Sequence, residues 1–274
     1  MGYNTIMKKI LSILLLGVFV LGLVTGCQQV PLTGRNRLLI VSDADMLALG
    51  QQQYQEVLAQ STLSRDPIKT QEVTRVGNRL AAAVVDLAKA NGLSEYIQGY
   101  SWQFSLIQDD KSLNAFCLPG GKIAVYTGIL PITKNDTGLA VVLSHEIAHE
   151  VAKHGAERLS QLIVLQYGNV TLAQAMKNEP TKTQAIINQV YGLGANVGVL
   201  LPYSRVQETE ADRIGLIIMA KAGYDPREAL KFWERMKIAQ PNNIPEFLST
   251  HPASDERIKD IQAEMPEALG YYKH

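Results

Sequence analysis

The chain has 274 residues, 46% of them apolar and 19% charged, with 26 Lys and Arg against 26 Asp and Glu. A chain of this length sustains a full hydrophobic core, which excludes a small disulfide-stapled scaffold, a collagen-like repeat and a disordered acidic tail. The balanced charge, without a Lys/Arg stripe interleaved with aromatics, argues against a nucleic-acid partner.

Lys8 and Lys9 precede an apolar run from Ile10 to Val24, broken only by Ser12, Gly17 and Gly22, with Thr25-Gly26-Cys27 behind it. That is the layout of a secretory signal over residues 1–26; a permanent membrane helix needs about 20 apolar residues. Val24-Thr25-Gly26-Cys27 resembles the bacterial lipobox, and the resemblance implies that Cys27 is acylated on its sulfur and, after cleavage, on its new amine. The alternative is ordinary signal cleavage with Cys27 left as a thiol. Several acyl chains hold a protein durably at a membrane. Gln28 in place of Asp, again by resemblance, points to the outer membrane of a Gram-negative cell, with the body of the protein facing the periplasm. Cys117 is then the one remaining thiol, and it reads as a small buried hydrophobe.

Residues 27–41, with Pro31, Gly34 and two Arg, suit a tether leading from the lipid to a single domain over residues 42–274. Ser42 with Asp45 predicts a helix start, followed by Met46, Leu49, Gln53 and Val57 at helical spacing. A second helix starts after Asp66-Pro67, carries the stripe Val73, Val76, Leu80, Val84 and Leu87, and stops at Asn91-Gly92. Trp102, Phe104 and Leu106 alternate with polar residues and predict a strand. Asn114–Cys117 and Lys122–Tyr126 predict two more around Pro119-Gly120-Gly121. A helix is expected from about Asp136 to Lys153 with Gly155 as its stop. The uncharged stretch 183–204 predicts a core or groove-lining helix. Further helices are expected over 205–221, over 226–239 and from Ser254. The fold class is α+β, mainly helical, with a small sheet of three or four strands.

His145-Glu146-Ile147-Ala148-His149 carries the chemistry. Positions i and i+4 share a helix face, so two imidazoles can hold one Zn²⁺ with Glu146 beside them. A catalytic zinc site needs a third protein ligand and an open position. Gly155 stands where a third His would follow in one common pattern, and His154 is one residue early. His154 reads as a helix C-terminal residue whose cation suits that dipole end. A later helix offers Glu208 and Asp212, four apart: Glu208 can bind the metal while Asp212 reaches the outer nitrogen of a ligating imidazole. Glu210, two positions from both, reads as a surface group or a local salt bridge.

These segments together resemble the M48 group of zinc metallopeptidases, and within it the soluble periplasmic lipoprotein members. Asn114–Gly121, Leu143–His154, Glu208–Arg213 and His251-Pro252 with Arg257 carry the likeness, which runs from about residue 38 to 265. Cys117 stands where the group usually has Ala. The resemblance implies a gluzincin-type zincin fold with its sheet beside the zinc helix, and one Zn²⁺ per chain on His145, His149 and Glu208. It also implies Glu146 as catalytic base, Asp212 behind a ligand, and His251 near the metal as an oxyanion donor or as a latch in the open position. Arg257 would orient a carboxylate or substrate carbonyl.

The expected reaction is hydrolysis of internal peptide bonds in unfolded or misassembled envelope proteins by metal-activated water, with no acyl-enzyme. Substrate would lie extended along Asn114, Ala115, Phe116 and Cys117, where a strand edge bonds main chain. Other envelope proteins are possible partners. The rivals are an envelope chaperone or binding lipoprotein that uses the same groove with little turnover, and a lipoprotein in which zinc is a structural staple.

Overall fold

The computed structural model describes residues 27–168, 170–191, 203–239 and 246–273. The expected signal segment and the glycine-containing part of the uncharged stretch, residues 192–202, lie outside the described residues.

The chain enters as a hairpin in which β1 (Cys27–Gln29) pairs antiparallel with β2 (Asn36–Leu38). The tether expected over residues 27–41 is therefore corrected, because this segment packs onto the body. Val30, Leu39 and Val41 are buried, and Arg37 is only 2% exposed. The two Arg that suggested a solvated linker instead find acceptors inside the protein. Arg37 donates through Nη1 to the Ala152 carbonyl and through Nη2 to the Tyr96 hydroxyl at 2.7 Å.

Helix α1 (Asp43–Gln60) starts where Ser42 accepts from the Asp45 amide, and α2 (Pro67–Ala90) where Asp66 accepts from the Ile68 and Lys69 amides with Pro at the first turn. Such caps satisfy amides that have no partner within the helix. The whole expected stripe of α2, from Val73 to Leu87, is buried. Beside it lies a three-stranded sheet of β3 (Gln103–Ile107), β4 (Ala115–Leu118) and β5 (Lys122–Tyr126) in the order β3-β5-β4. β5 is central, parallel to β3 and antiparallel to β4, so β4 is an edge strand of this sheet.

A short turn of helix, α3 (Leu130–Thr133), leads into α4 (Asp136–Val151), which Asn135 caps by accepting from the Gly138 amide. Every residue from Gly138 to His149 is buried. α4 is thus enclosed on all sides, which explains why its sequence is apolar around the helix. It ends earlier than Gly155: Lys153 adopts a left-handed conformation with φ 51°, and α5 (His154–Tyr167) begins at the next residue. The break is held by Arg37 on the Ala152 carbonyl and by the Tyr96 hydroxyl, which donates to the Val151 carbonyl at 2.7 Å.

α6 (Leu172–Asn178) and α7 (Pro180–Tyr191) follow, and α7 covers the first part of the uncharged stretch with Thr183, Ile187, Val190 and Tyr191 buried. α8 (Arg205–Lys221) opens with a full capping box between Ser204 and Gln207 and lies along α4. Gly215 permits that approach, since a Cβ there would stand 3.2 Å from the backbone of Ser144 and His145. α9 (Glu228–Ile238), the short α10 (Glu246–Thr250) and α11 (Asp255–Tyr271) complete the body. Trp233, Phe232 and Phe247 are among its largest fully buried side chains. No helix among the described residues is long and apolar enough to cross a membrane.

Candidate metal centre

Three segments of the chain converge at α4. His145 and His149, one turn apart on α4, bring their Nε2 atoms to 3.1 Å. Glu208 in the first turn of α8 sets Oε2 3.5 Å from His145 Nε2 and Oε1 3.3 Å from His149 Nε2. His251, directly after α10, places Nδ1 3.1 Å from His145 Nε2 and 2.8 Å from Glu208 Oε1. These four donors lie within 4.8 Å of one another and all four residues are buried. Two nitrogens bonded to a tetrahedral zinc at 2.0–2.1 Å stand about 3.3 Å apart, so the spacing fits a single ion. Glu146 is buried beside them with Oε1 3.4 Å from His251 Nε2, and among the described residues that oxygen has no hydrogen-bond partner.

The model of peptidase family M48 matches residues 67–265, which contain all of these groups. The chain belongs to peptidase family M48. The mitochondrial metalloendopeptidase OMA1 of Schizosaccharomyces pombe is 38% identical over 249 residues, spanning 89% of this chain and 68% of that protein. Its counterpart in Saccharomyces cerevisiae is 35% identical over 266 residues, or 91% of this chain and 72% of that protein. The beta-barrel assembly-enhancing protease of Yersinia pestis is 29% identical over 253 residues, 88% of this chain but 48% of that protein. Peptidases of family M48 use zinc, and the imidazole and carboxylate donors found here are of the type that zinc takes.

The shell behind these four donors is itself charged and buried. Asp212 Oδ1 lies 3.0 Å from His145 Nδ1. Arg257 clamps Asp212 with Nε at 2.8 Å and Nη2 at 2.7 Å, and its Nη1 stands 2.7 Å from Glu208 Oε2. The guanidinium also lies 3.5 Å from the ring centroid of Trp233. Burial alone would raise the Glu208 carboxyl, but His251 and Arg257 beside it hold it well below the usual carboxylate range. Burial drives His149 well below its ordinary value against the pull of Glu208. His145 is lowered by burial but lifted by Asp212 and Glu208, and it ends up at about 9. Glu146 is raised by burial, with His251 and His145 opposing.

Two expectations are corrected here. His154 is not a helix C-terminal cation: it opens α5, is fully buried, and sets Nδ1 2.9 Å from His149 Nδ1 and Nε2 2.9 Å from Glu210 Oε2. Glu210 is not on the surface: of its two expected roles the salt bridge holds, with partners that are distant in the chain. It accepts from Thr33 and from Arg35 Nε at 2.8 Å, and it is pulled to about 2 by these partners and His154 against the effect of burial. The i+2 spacing from Glu208 does turn Glu210 away from the metal donors, but α5 and the entry hairpin occupy the side it faces. Sequence reading also missed Tyr203, whose ring centroid lies 3.9 Å from that of His149. An aromatic next to a Pro carries no signal that distinguishes it from ordinary packing.

The residues expected to hold substrate form the edge strand and the residue before it. Ala115 and Cys117 are buried, and burial pushes the Cys117 thiol well above its ordinary value, as suits a packing residue. The turn after β4 is tied to α4, because the Gly120 amide donates to Glu150 Oε1 at 2.9 Å.

Arg35 also holds Glu157 through two hydrogen bonds of 2.8 and 2.7 Å, and Gln207 Nε2 donates to the same carboxylate at 3.0 Å. Burial raises Glu157, but Arg35 and Gln207 more than offset it, so its folded pKa lies below 4.5. A depressed folded pKa stabilises the native state above the unfolded pKa of about 4.5, and that stability is lost as the pH falls through the folded value. The gap in thermal midpoint between wild type and Glu157→Gln is therefore expected to be open at about pH 6 and to close in acid. A gap that stays constant down to about pH 3 would contradict the assignment.

Proposed function

We propose that this M48 peptidase hydrolyses internal peptide bonds of unfolded or misassembled envelope proteins. In this reading His145, His149 and Glu208 hold zinc, and Glu146 is the general base. The observation that carries it is the unpartnered Glu146 Oε1, buried beside four converging donors. A buried carboxylate oxygen without a hydrogen bond is costly in a purely structural site, whereas a general base needs a lone pair that is not already engaged.

When bound, zinc supplies Lewis acidity that polarises the scissile carbonyl and makes water nucleophilic at neutral pH. Glu146 Oε1 takes the proton of the attacking water, and Glu146 returns it to the amine that leaves. Asp212, accepting from His145 Nδ1, keeps that ring in the tautomer whose Nε2 lone pair is free. Arg257 bridges Asp212 and Glu208 and so fixes both carboxylates in place. The outer edge of β4, unpaired among the described residues and bordered by Asn114, Ala115, Phe116 and Cys117, would offer main-chain hydrogen bonds to an extended segment. Recognition through the backbone selects chains that are unfolded locally, which is compatible with quality control.

His251 supplies a fourth donor in the resting arrangement, and its Nε2 is near Glu146. It acts as a latch that leaves when substrate arrives, and the same imidazole is then placed to donate to the oxyanion. A zinc staple held permanently by four ligands is the second reading that this geometry allows. For location, the lipobox-like segment ending at Cys27 supports a lipid anchor in the bacterial outer membrane, with the domain in the periplasm. Cys27 opens β1, so the acyl chains would attach at the first residue of the hairpin.

The test uses the full-length chain and an unfolded casein substrate. Cleavage is expected to stop on removal of zinc by a chelator and to return with one equivalent of Zn²⁺ per chain. A zinc-loaded chain that leaves casein and other unfolded proteins intact would reject the protease reading and favour the staple.

A further inference from the structure

The two histidines of α4 are supported differently from behind. His145 Nδ1 meets Asp212 directly, whereas His149 Nδ1 meets another imidazole, that of His154. The tautomers along this second path are set by elementary bonding. With His149 Nε2 aimed into the donor cluster, a neutral ring carries its proton on Nδ1. His154 must therefore accept at Nδ1, and its own proton sits on Nε2, which faces Glu210 Oε2 at 2.9 Å. A carboxylate can only accept there, so every nitrogen in the path is satisfied without a charged ring. Glu210 is fixed in turn by the Thr33 hydroxyl and Arg35 Nε from the entry hairpin. Thr33 and Arg35 lie ahead of the residues 67–265 that match the family.

We propose that His154 and Glu210, anchored by Thr33 and Arg35, are positioning residues that orient His149 for zinc, so that the N-terminal hairpin helps to build the metal centre. The Arg35 guanidinium serves both flanks of that centre. Through Glu210 and His154 it reaches His149, and through Glu157 it reaches Gln207, the residue before Glu208. The inference rests on the metal site proposed above.

The test is zinc affinity of the full-length chain, measured by competition with a chromogenic chelator, alongside the thermal midpoint of the metal-free protein. Removal of a group that orients a metal-bound imidazole weakens binding by about 10–100-fold, and that loss is expected for His154→Ala. In His154→Gln the amide oxygen can accept from His149 while its NH₂ donates to Glu210, so most of the affinity is expected to return. Equal losses in both variants would mean that His154 only fills space, and wild-type affinity in His154→Ala would likewise overturn the proposal. If His154→Ala does not fold, Glu210→Leu, which keeps most of the volume but cannot accept from His154 Nε2, carries the decision. About tenfold weaker zinc supports the relay, and unchanged affinity rejects it. Zinc binding by wild type separates the two claims: no binding defeats the metal site itself, while equal binding by wild type and folded variants defeats the relay alone.

Discussion

Glu146→Gln is expected to slow hydrolysis of an unfolded protein by about 10²–10⁴-fold, the range that a positioned general base contributes, while zinc remains bound. The separation follows from the geometry. Glu146 stands outside the four-donor cluster, and its Oε1 has no hydrogen bond to lose. Gln has the same shape but cannot take a proton from water. Zinc content measured on the same preparations distinguishes loss of the base from loss of the metal. Equal turnover by wild type and Glu146→Gln would remove the assigned role. Protection of clients from aggregation that survives this substitution, in a chain whose hydrolysis is negligible from the start, would favour the chaperone alternative.

Arg257→Met is expected to produce the largest loss of stability among single changes at the site. Arg257 is 6% exposed and is the cation shared by Asp212 and Glu208, themselves buried. Removing one partner from a buried ion pair costs about 3–5 kcal/mol, because the remaining charge stays desolvated and uncompensated. For a domain near this size that corresponds to a fall in thermal midpoint of roughly 6–20 °C. Methionine retains much of the apolar stem over Trp233, so the change isolates the charge from the packing. The loss is expected to be smaller with zinc bound, because the cation compensates Glu208. A metal-free midpoint within about 2 °C of wild type would show that the bridge contributes little.

The parts of the fold legible in the sequence are those written in local pattern. The α2 stripe from Val73 to Leu87, the caps at Ser42, Asp66 and Ser254, and the alternation from Trp102 to Leu106 each follow from contacts within a few residues. The extent of α4 was legible apart from its end. A non-glycine residue, Lys153, takes the left-handed turn there, and the groups that hold it, Arg37 and Tyr96, come from distant segments. The short helix before His251 had no local signal, and the tether reading of residues 27–41 failed because a run with Pro31, Gly34 and two Arg gives no hint of where its side chains will find acceptors.

By itself the sequence determined that two imidazoles and a carboxylic acid share one turn of helix, and that a second acidic pair four residues apart was available. The helical repeat fixes both arrangements whatever the rest of the chain does. Only the tertiary structure decided that Glu208 and His251 meet those imidazoles, that Arg257 spans two carboxylates, and that Glu210 and His154 stand behind His149. Apart from the contact between His154 and His149, which are five residues apart, these contacts bridge 43 to 106 positions of chain. They depend on α8 lying close against α4 at Gly215 and on the entry hairpin closing over α5, and such packing is set by the complementarity of whole surfaces, which local spacing does not encode.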